Sequence, residues 1–146
     1  MLMATSFDVV EDLGLAQIDD YTLNKLYNND FAKFQTFCDG LLVNAIPLFI
    51  KCRQSLAYDL GTREFDSDLT NEEIAILADF WAIQWFERKV NNSAQFQAKL
   101  QNSGSFKNHS EAQNLKEKTS WLDRLRERVY QRITDYQVGN LANIDF

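Results

Sequence analysis

Glycine and proline are scarce in this sequence, whose 146 residues include five glycines and one proline. β-Sandwiches and β-barrels need turn residues at intervals of about 8–12 positions, and so few of them cannot supply those turns. Histidine occurs once and cysteine twice, and no Cys-x-x-Cys, His-Glu-x-x-His, glycine-rich phosphate loop or Gly-x-Ser-x-Gly motif is present. The sequence therefore favours helices, and we expect no bound metal, no cofactor and no catalytic residues of these classes.

Long apolar runs are also missing. The longest, Leu41 to Ile50, is interrupted by Asn44 and Pro47 and falls far short of the ~20 residues that a membrane-spanning helix needs. No basic segment followed by an apolar core marks a signal peptide. We therefore expect no membrane association, and a chain made in the cytoplasm with reduced thiols.

Positive charge is in short supply, since the net charge is −6. The first 80 residues carry −9 and the remaining 66 carry +3. An acidic chain does not favour general binding to the phosphate backbone, which depends on lysine and arginine displacing counterions. The chain has instead an acidic half and a mildly basic half.

Apolar residues are sufficient for one core, because 45% of the chain is hydrophobic and 13% aromatic. Their spacing of three and four predicts amphipathic helices. We predict an all-α fold: a helical bundle of about four to five helices in a single domain, residues 1–137, followed by a C-terminal tail, residues 138–146. Residues 52–69 are expected to be irregular.

A buried central helix, residues 71–90, has the clearest local signal. Thr70 and Glu73 form a capping box, in which each side chain bonds the other residue's backbone amide. The stretch Ile74–Phe86 is apolar on nearly every face, which is typical of a helix buried on most sides. We expect the two asparagines that follow, residues 91–92, to end this helix, and a separate short helix to cover residues 93–100.

Helix ends are predicted at several other positions. Asp19 or Asp20, and then Asp30, are placed to cap the helices that follow them. Pro47 is expected to end or kink a helix near Ile46. A long C-terminal helix, residues 110–137, carries an apolar stripe close to a heptad, and Gly139 is expected to stop it.

Few residues of the sequence suggest a catalytic site. His109 lies in a polar stretch with nothing to place it beside Cys38 or Cys52. Asp79 stands among apolar residues, where a general acid is one interpretation. The favoured interpretation is that Asp79 either lies on a single exposed polar stripe of the helix or pairs with an arginine. The acidic run over residues 64–73 lacks the spacing of a calcium loop.

A basic stripe on the last helix is the best candidate for contacts. Arg124, Arg128 and Arg132 recur every four residues and so share one helix face. A solvated face, an acidic protein surface and nucleic acid are the three interpretations, in that order. Trp121 beside the stripe is a candidate anchor. In the tail, we expect three apolar residues to bind a partner: Leu141, Ile144 and Phe146.

Residues 65–125 resemble the small head–tail connector, or neck adaptor, proteins of tailed bacteriophages. In that family an acidic lead runs into a tryptophan-containing apolar helix, followed by a polar loop and a long charged helix. The residues that carry the resemblance are Phe65, Asp68, Leu69, Thr70, Glu73, Ile76, Leu77, Ala78, Trp85, Phe106, Ser110, Ala112 and Leu115. The first 50 residues match no family pattern.

The resemblance implies a virion protein of the neck, at the head–tail interface, without enzymatic activity. Such proteins form a homo-oligomer, commonly a dodecameric ring, that binds the portal protein above it and the next neck or tail protein below it. DNA passes through the channel without specific binding. Two alternatives stay open: a small helical regulatory module that works as a monomer or dimer, and a helical enzyme that uses Cys38 or Asp79.

Overall fold

Helices dominate residues 4–103 and 107–142, the part of the chain that the computed structural model describes. They are α1 (Phe7–Leu15), α2 (Tyr21–Asn29), α3 (Phe31–Ala45), α4 (Asn71–Ser103) and α5 (Lys107–Ala142). Three two-residue strands, β1 (Thr5–Ser6), β2 (Tyr58–Asp59) and β3 (Glu64–Phe65), form an antiparallel sheet in the order β1-β3-β2. The predicted all-α bundle is confirmed, and the small sheet lies mainly within the segment expected to be irregular.

Helix α4 occupies the centre of the fold. Helices α1 and α3 pack against it, and α5 packs along it. Trp81 is fully buried, and its indole nitrogen donates to the carbonyl of Cys38 at 3.0 Å. The facing side of α5 buries Leu122, Leu125 and Val129, so the predicted central helix is indeed buried on most sides. Among the described residues, no helix combines the length and the apolarity that crossing a bilayer requires.

Side-chain caps define where most helices begin. The carboxylates of Asp20 and Asp30 accept from first-turn amides of α2 and α3. The capping box is confirmed: the Thr70 amide donates to Glu73 at 2.9 Å, and the Glu73 amide donates to the Thr70 hydroxyl at 3.2 Å. Pro47 lies in a 3-10 turn directly after α3, as predicted.

Two predicted helix ends are wrong. Helix α4 continues through the asparagine pair at 91–92 to Ser103, so the short helix expected at 93–100 is part of α4. Helix α5 begins at Lys107 and continues through Gly139 to Ala142. The two helices run antiparallel. Asparagine and glycine each cost a helix interior about 1 kcal/mol or less relative to alanine, so neither residue has to end a helix. The predicted tail, residues 138–146, is therefore helical as far as Ala142, and its last four residues lie outside the described part.

A network around Glu73 attaches the loop after α3 to the α4–α5 pair. Tyr136 donates its hydroxyl proton to Glu73 at 2.7 Å and accepts from the Arg53 amide at 2.9 Å. The side chains of Gln54 and Cys52 also donate to Glu73. Burial alone would raise the pKa of Glu73, but the hydrogen bonds that it accepts outweigh burial and lower the pKa below its ordinary value.

Close contact between α1 and α4 depends on Gly14. A Cβ atom added there would lie 2.4 Å from Cε3 of Trp81, a distance that real side chains do not adopt. Because Trp81 is fully buried, its ring has little room to move away. The glycine therefore sets the distance of α1 from the core, and with it one wall of the groove described below.

Candidate functional site

A groove of about 480 Å³ opens between α1, α2 and α3. Its volume falls in the range typical of ligand and peptide pockets. Acidic and apolar side chains dominate the lining, with one arginine. The main lining residues are Asp8, Glu11, Asp12, Leu15, Ile18, Asp19, Asp20, Leu23, Tyr27, Phe31, Phe34 and Arg63.

One wall of the groove is aromatic. The Tyr27 ring meets Phe31 edge-on at 5.3 Å between centroids and meets Phe34 edge-on at 5.2 Å. The sequence brings them together because these positions straddle the junction of α2 and α3, which Asp30 caps. Tyr27 is 53% exposed and Phe31 is 51% exposed. Exposed aromatic rings held in a fixed arrangement are typical of the anchors that dominate protein–protein binding.

A second wall of the groove, contributed by α1 and the connection to α2, is acidic. Asp8 and Asp12 lie one turn apart on α1, and Asp19 follows in the short connection to α2. All three are exposed. Asp8 pairs with Arg63 at 2.9 Å, whereas Asp12 and Asp19 take part in none of the ion pairs found in the described residues. Two exposed carboxylates beside aromatic rings therefore offer charge to a cationic ligand.

Arg63 connects the acidic wall to the fold. Its backbone has a φ of 56°, and its carbonyl accepts from the Phe7 amide at 2.9 Å. The guanidinium donates two hydrogen bonds to Asp39, both of 2.8 Å, and also reaches Asp8 and Glu11. One side chain thus joins α1, α3 and the loop that carries β3, which fixes the shape of the groove.

Glu11 lies at the buried end of this cluster. Burial, together with hydrogen bonding and repulsion from Asp39, raises the pKa of Glu11 to about 9. Burial would also raise the pKa of Asp39, but hydrogen bonds from Arg63 and Glu11 outweigh it and lower the pKa below its ordinary value. At neutral pH, Glu11 is therefore protonated and Asp39 is the charged partner of Arg63.

Asp20 closes the other end of the groove. Besides capping α2, it accepts from the indole nitrogen of Trp85 at 2.9 Å and pairs with Lys89 at 3.3 Å. Burial opposes ionisation here, but the Trp85 hydrogen bond and the charge of Lys89 outweigh it and lower the pKa of Asp20. Asp20 is thus a structural carboxylate, in contrast to the two exposed ones.

Two arginines of the predicted basic stripe form ion pairs within the chain. Arg128 and Arg132 each pair with Asp79 at 2.9 Å, and the Asp79 side chain is fully buried. Arg128 also donates to the side chain of Gln17. Of the two arrangements favoured for Asp79, exposure on a polar stripe is wrong, because the residue is buried. The pair with an arginine is confirmed, and it is intramolecular. Reversing the charge of Arg124, Arg128 and Arg132 together would break both ion pairs with Asp79. Such a variant would therefore change the fold as well as any contact with a partner.

The remaining predicted contact residues differ in position. Trp121 is 55% exposed, and the guanidinium carbon of Arg124 lies 5.3 Å from its ring centroid, a cation–π arrangement. Leu141 belongs to α5, but its side chain is outside what the structure describes. Ile144 and Phe146 lie outside the described residues altogether. Arg124 and Trp121 together form an exposed patch on α5, called here the Trp121 patch.

The candidate nucleophiles are poorly placed for catalysis. Burial raises the pKa of the Cys38 thiol to about 12 and that of Cys52 to about 11. The thiolate is the reactive form, and a raised pKa disfavours it at neutral pH. Both thiols are free rather than joined in a disulfide. The side chain of His109 is outside the described part. Among described residues, no group of three His, Cys, Asp or Glu side chains is arranged to hold a metal ion.

The groove was not among the sites predicted from the sequence. Asp8 and Asp12 lie four positions apart on α1, and Tyr27 and Phe31 lie four positions apart across the junction of α2 and α3, so each pair is visible in a short stretch of sequence. Only the packing of α1 and α2 against α3 brings the two pairs to one groove. Comparison with protein-family models, with curated proteins and with solved structures gave no match to this chain.

Proposed function

We propose that the protein is a non-catalytic adaptor that binds other protein chains through its outer surfaces, with the groove as its main binding site. The observation that carries the proposal is that half-exposed Tyr27 and Phe31 share one groove lining with Asp12 and Asp19. These two carboxylates are exposed and take part in no ion pair within the part of the chain that the structure describes. Aromatic anchors bordered by charge are the usual energetic centre of a protein interface.

The groove suits a polypeptide better than other ligands. Its carboxylates repel the phosphates of nucleic acids and anionic lipids. Its two walls offer an apolar surface and a charged surface along one opening, which matches a segment with a large apolar side chain and a nearby cation. The cluster of Glu11, Asp39 and Arg63 supports the acidic wall of the groove. The carboxylates of Asp12 and Asp19 lie outside this cluster and are available to a ligand.

The specific form of adaptor that we propose is a head–tail connector of a tailed phage. The support is the sequence resemblance over residues 65–125, which falls on β3, α4 and the first half of α5. Within it, Phe65, Leu69 and Trp85 are buried core residues and Thr70 and Glu73 form the α4 cap. The resemblance therefore concerns residues that hold the helices together, and the binding surfaces are carried by other positions.

Under this proposal, copies assemble as a ring, commonly of twelve, that binds the portal protein and the next neck or tail protein. The ring forms in the host cytoplasm and belongs to the virion. An acidic surface facing the channel would repel the phosphates of the passing DNA and keep it from adhering.

Electron microscopy of the purified protein, with and without the portal protein of the same phage, tests the proposal. We expect ring-shaped particles of uniform diameter that cap the portal. A stable monomer or dimer that ignores the portal would instead favour a small regulatory module. Turnover of a small molecule that depends on Cys38 or Asp79 would favour an enzyme.

A further inference from the structure

We propose that the groove of one copy receives the Trp121 patch of a second copy, so that chains join head to tail. This inference rests on the proposed adaptor function and names the partner of its groove. It commits to a second copy of this chain as the occupant, on the basis of chemical complementarity and of where the two surfaces lie in the fold.

Complementarity is the first argument. The patch presents a half-exposed indole with the Arg124 guanidinium 5.3 Å from its ring centroid. The groove presents the exposed rings of Tyr27 and Phe31 from the junction of α2 and α3. From α1 and the connection after it, the groove also presents two carboxylates that form no ion pair among the described residues. A groove of about 480 Å³ lies within the range of pockets that enclose drug-sized molecules, so it has room for an indole together with a guanidinium. The apolar part meets the aromatic wall and the cation meets the acidic wall.

Position in the fold is the second argument. Helices α1 and α3, which line the groove, pack against α4, and α5 packs against α4 as well. In the described part, α5 has no comparable packing with α1, α2 or α3. Arg128 of α5 bonds Gln17 at the edge of the groove, but neither Trp121 nor Arg124 lines the groove, so one copy can use both surfaces at once. An interface between two different patches is heterologous, which produces closed rings or open filaments rather than a symmetric dimer.

Two variants of the full chain separate the halves of this interface. A groove variant carries Asp12→Lys and Asp19→Lys and keeps the Trp121 patch. A patch variant carries Trp121→Ala and Arg124→Glu and keeps the groove. Both sets of side chains are exposed, so the fold should survive, as circular dichroism and thermal unfolding will verify. If the charge reversals reduce helix content, Asp12→Asn with Asp19→Asn and the single Trp121→Ala replace them.

Sedimentation velocity and native mass spectrometry give the readout. We expect wild-type chains to form oligomers larger than a dimer, and each variant alone to stay monomeric, with the dissociation constant raised about tenfold or more. An equimolar mixture of the two variants should form a heterodimer and nothing larger, because each variant retains one complementary half of the interface. No symmetric interface produces this pattern.

Matched controls carry the same changes elsewhere. Asp66→Lys with Asp68→Lys alters two exposed carboxylates outside the groove, and Tyr130→Ala removes an aromatic residue that is 65% exposed on α5. Both controls should assemble like the wild type.

The outcomes distinguish the two proposals. Wild-type assembly that neither variant disturbs overturns the pairing of groove and patch, while the adaptor function stands. A groove variant that assembles normally but no longer binds the portal protein places another protein in the groove and also overturns the pairing. A wild-type chain that stays monomeric at every concentration overturns both the pairing and the proposed ring.

Discussion

Removing the two arginines that face Asp79 should destabilise the fold more than removing Asp79 itself. The Asp79 side chain is completely buried, whereas Arg128 and Arg132 are 44% and 41% exposed. When the arginines are replaced by alanine, the carboxylate stays in the interior without a cation. When Asp79 is replaced by asparagine, the two guanidinium groups can turn towards water.

The magnitudes follow from this asymmetry. A buried charge that loses its partners costs about 3–5 kcal/mol, and we expect the lower end of this range for Arg128→Ala with Arg132→Ala. The reason is that Gln17 still donates to Asp79 at 3.2 Å. The isosteric Asp79→Asn variant loses charge-assisted hydrogen bonds without burying a lone charge, for an expected cost of about 1–2 kcal/mol.

Urea unfolding followed by circular dichroism measures these free energies at neutral pH. For a chain of this length, each kcal/mol lowers the melting temperature by about 2–4 °C. Lys116→Ala is the matched control, because Lys116 is an exposed cation on the same helix but outside both the Asp79 ion pairs and the Trp121 patch, and its cost should stay within about 0.5 kcal/mol. An Asp79→Asn variant that loses as much stability as the double arginine variant would refute the reasoning.

Three further perturbations test other parts of the fold in the same assay. Gly14→Ala should lower the free energy of unfolding by about 1–3 kcal/mol, because the added Cβ meets the buried Trp81 indole. Gly40→Ala is the control and should be neutral or stabilising, because a Cβ there meets nothing within 4 Å. Equal effects of the two substitutions would contradict this. Tyr136→Phe should cost about 1–2 kcal/mol by removing the hydroxyl that bonds Glu73, and an unchanged urea midpoint would count against that bond. The pKa of Glu11 is raised from 4.5 to about 9, so the folded chain keeps a proton that the unfolded chain loses, and stability falls as pH rises between these values. Glu11→Gln should flatten that fall between pH 5 and 8, and an unchanged slope would show that Glu11 is ionised.

Local signals in the sequence were sufficient to place several helix starts. The caps at Asp20, Asp30 and Thr70 depend on residues within three positions of each other, and Pro47 acts on its own backbone. The buried central helix followed from a run of apolar residues that left no polar face for solvent. These features are fixed by short stretches of chain, so a single sequence carries them.

Features that depend on packing between distant segments were not predictable in this way. The asparagine pair at 91–92 and Gly139 are weak stop signals, because each residue costs a helix about 1 kcal/mol or less, and both helices continue through them. The spacing of the arginines showed that they share one helix face. It did not show that Arg128 and Arg132 face Asp79, about 50 positions earlier in the chain. The groove was missed for the same reason, since its aromatic and acidic walls come from separate helices.

The most direct test of the central idea, that this chain acts by joining copies of itself through unlike surfaces, is the mass distribution of the purified wild-type protein across a wide range of concentrations. Closed particles of one defined mass, replacing the 17.0 kDa single chain as concentration rises, are the predicted result. A single chain at all concentrations, with the portal protein present or absent, would contradict it.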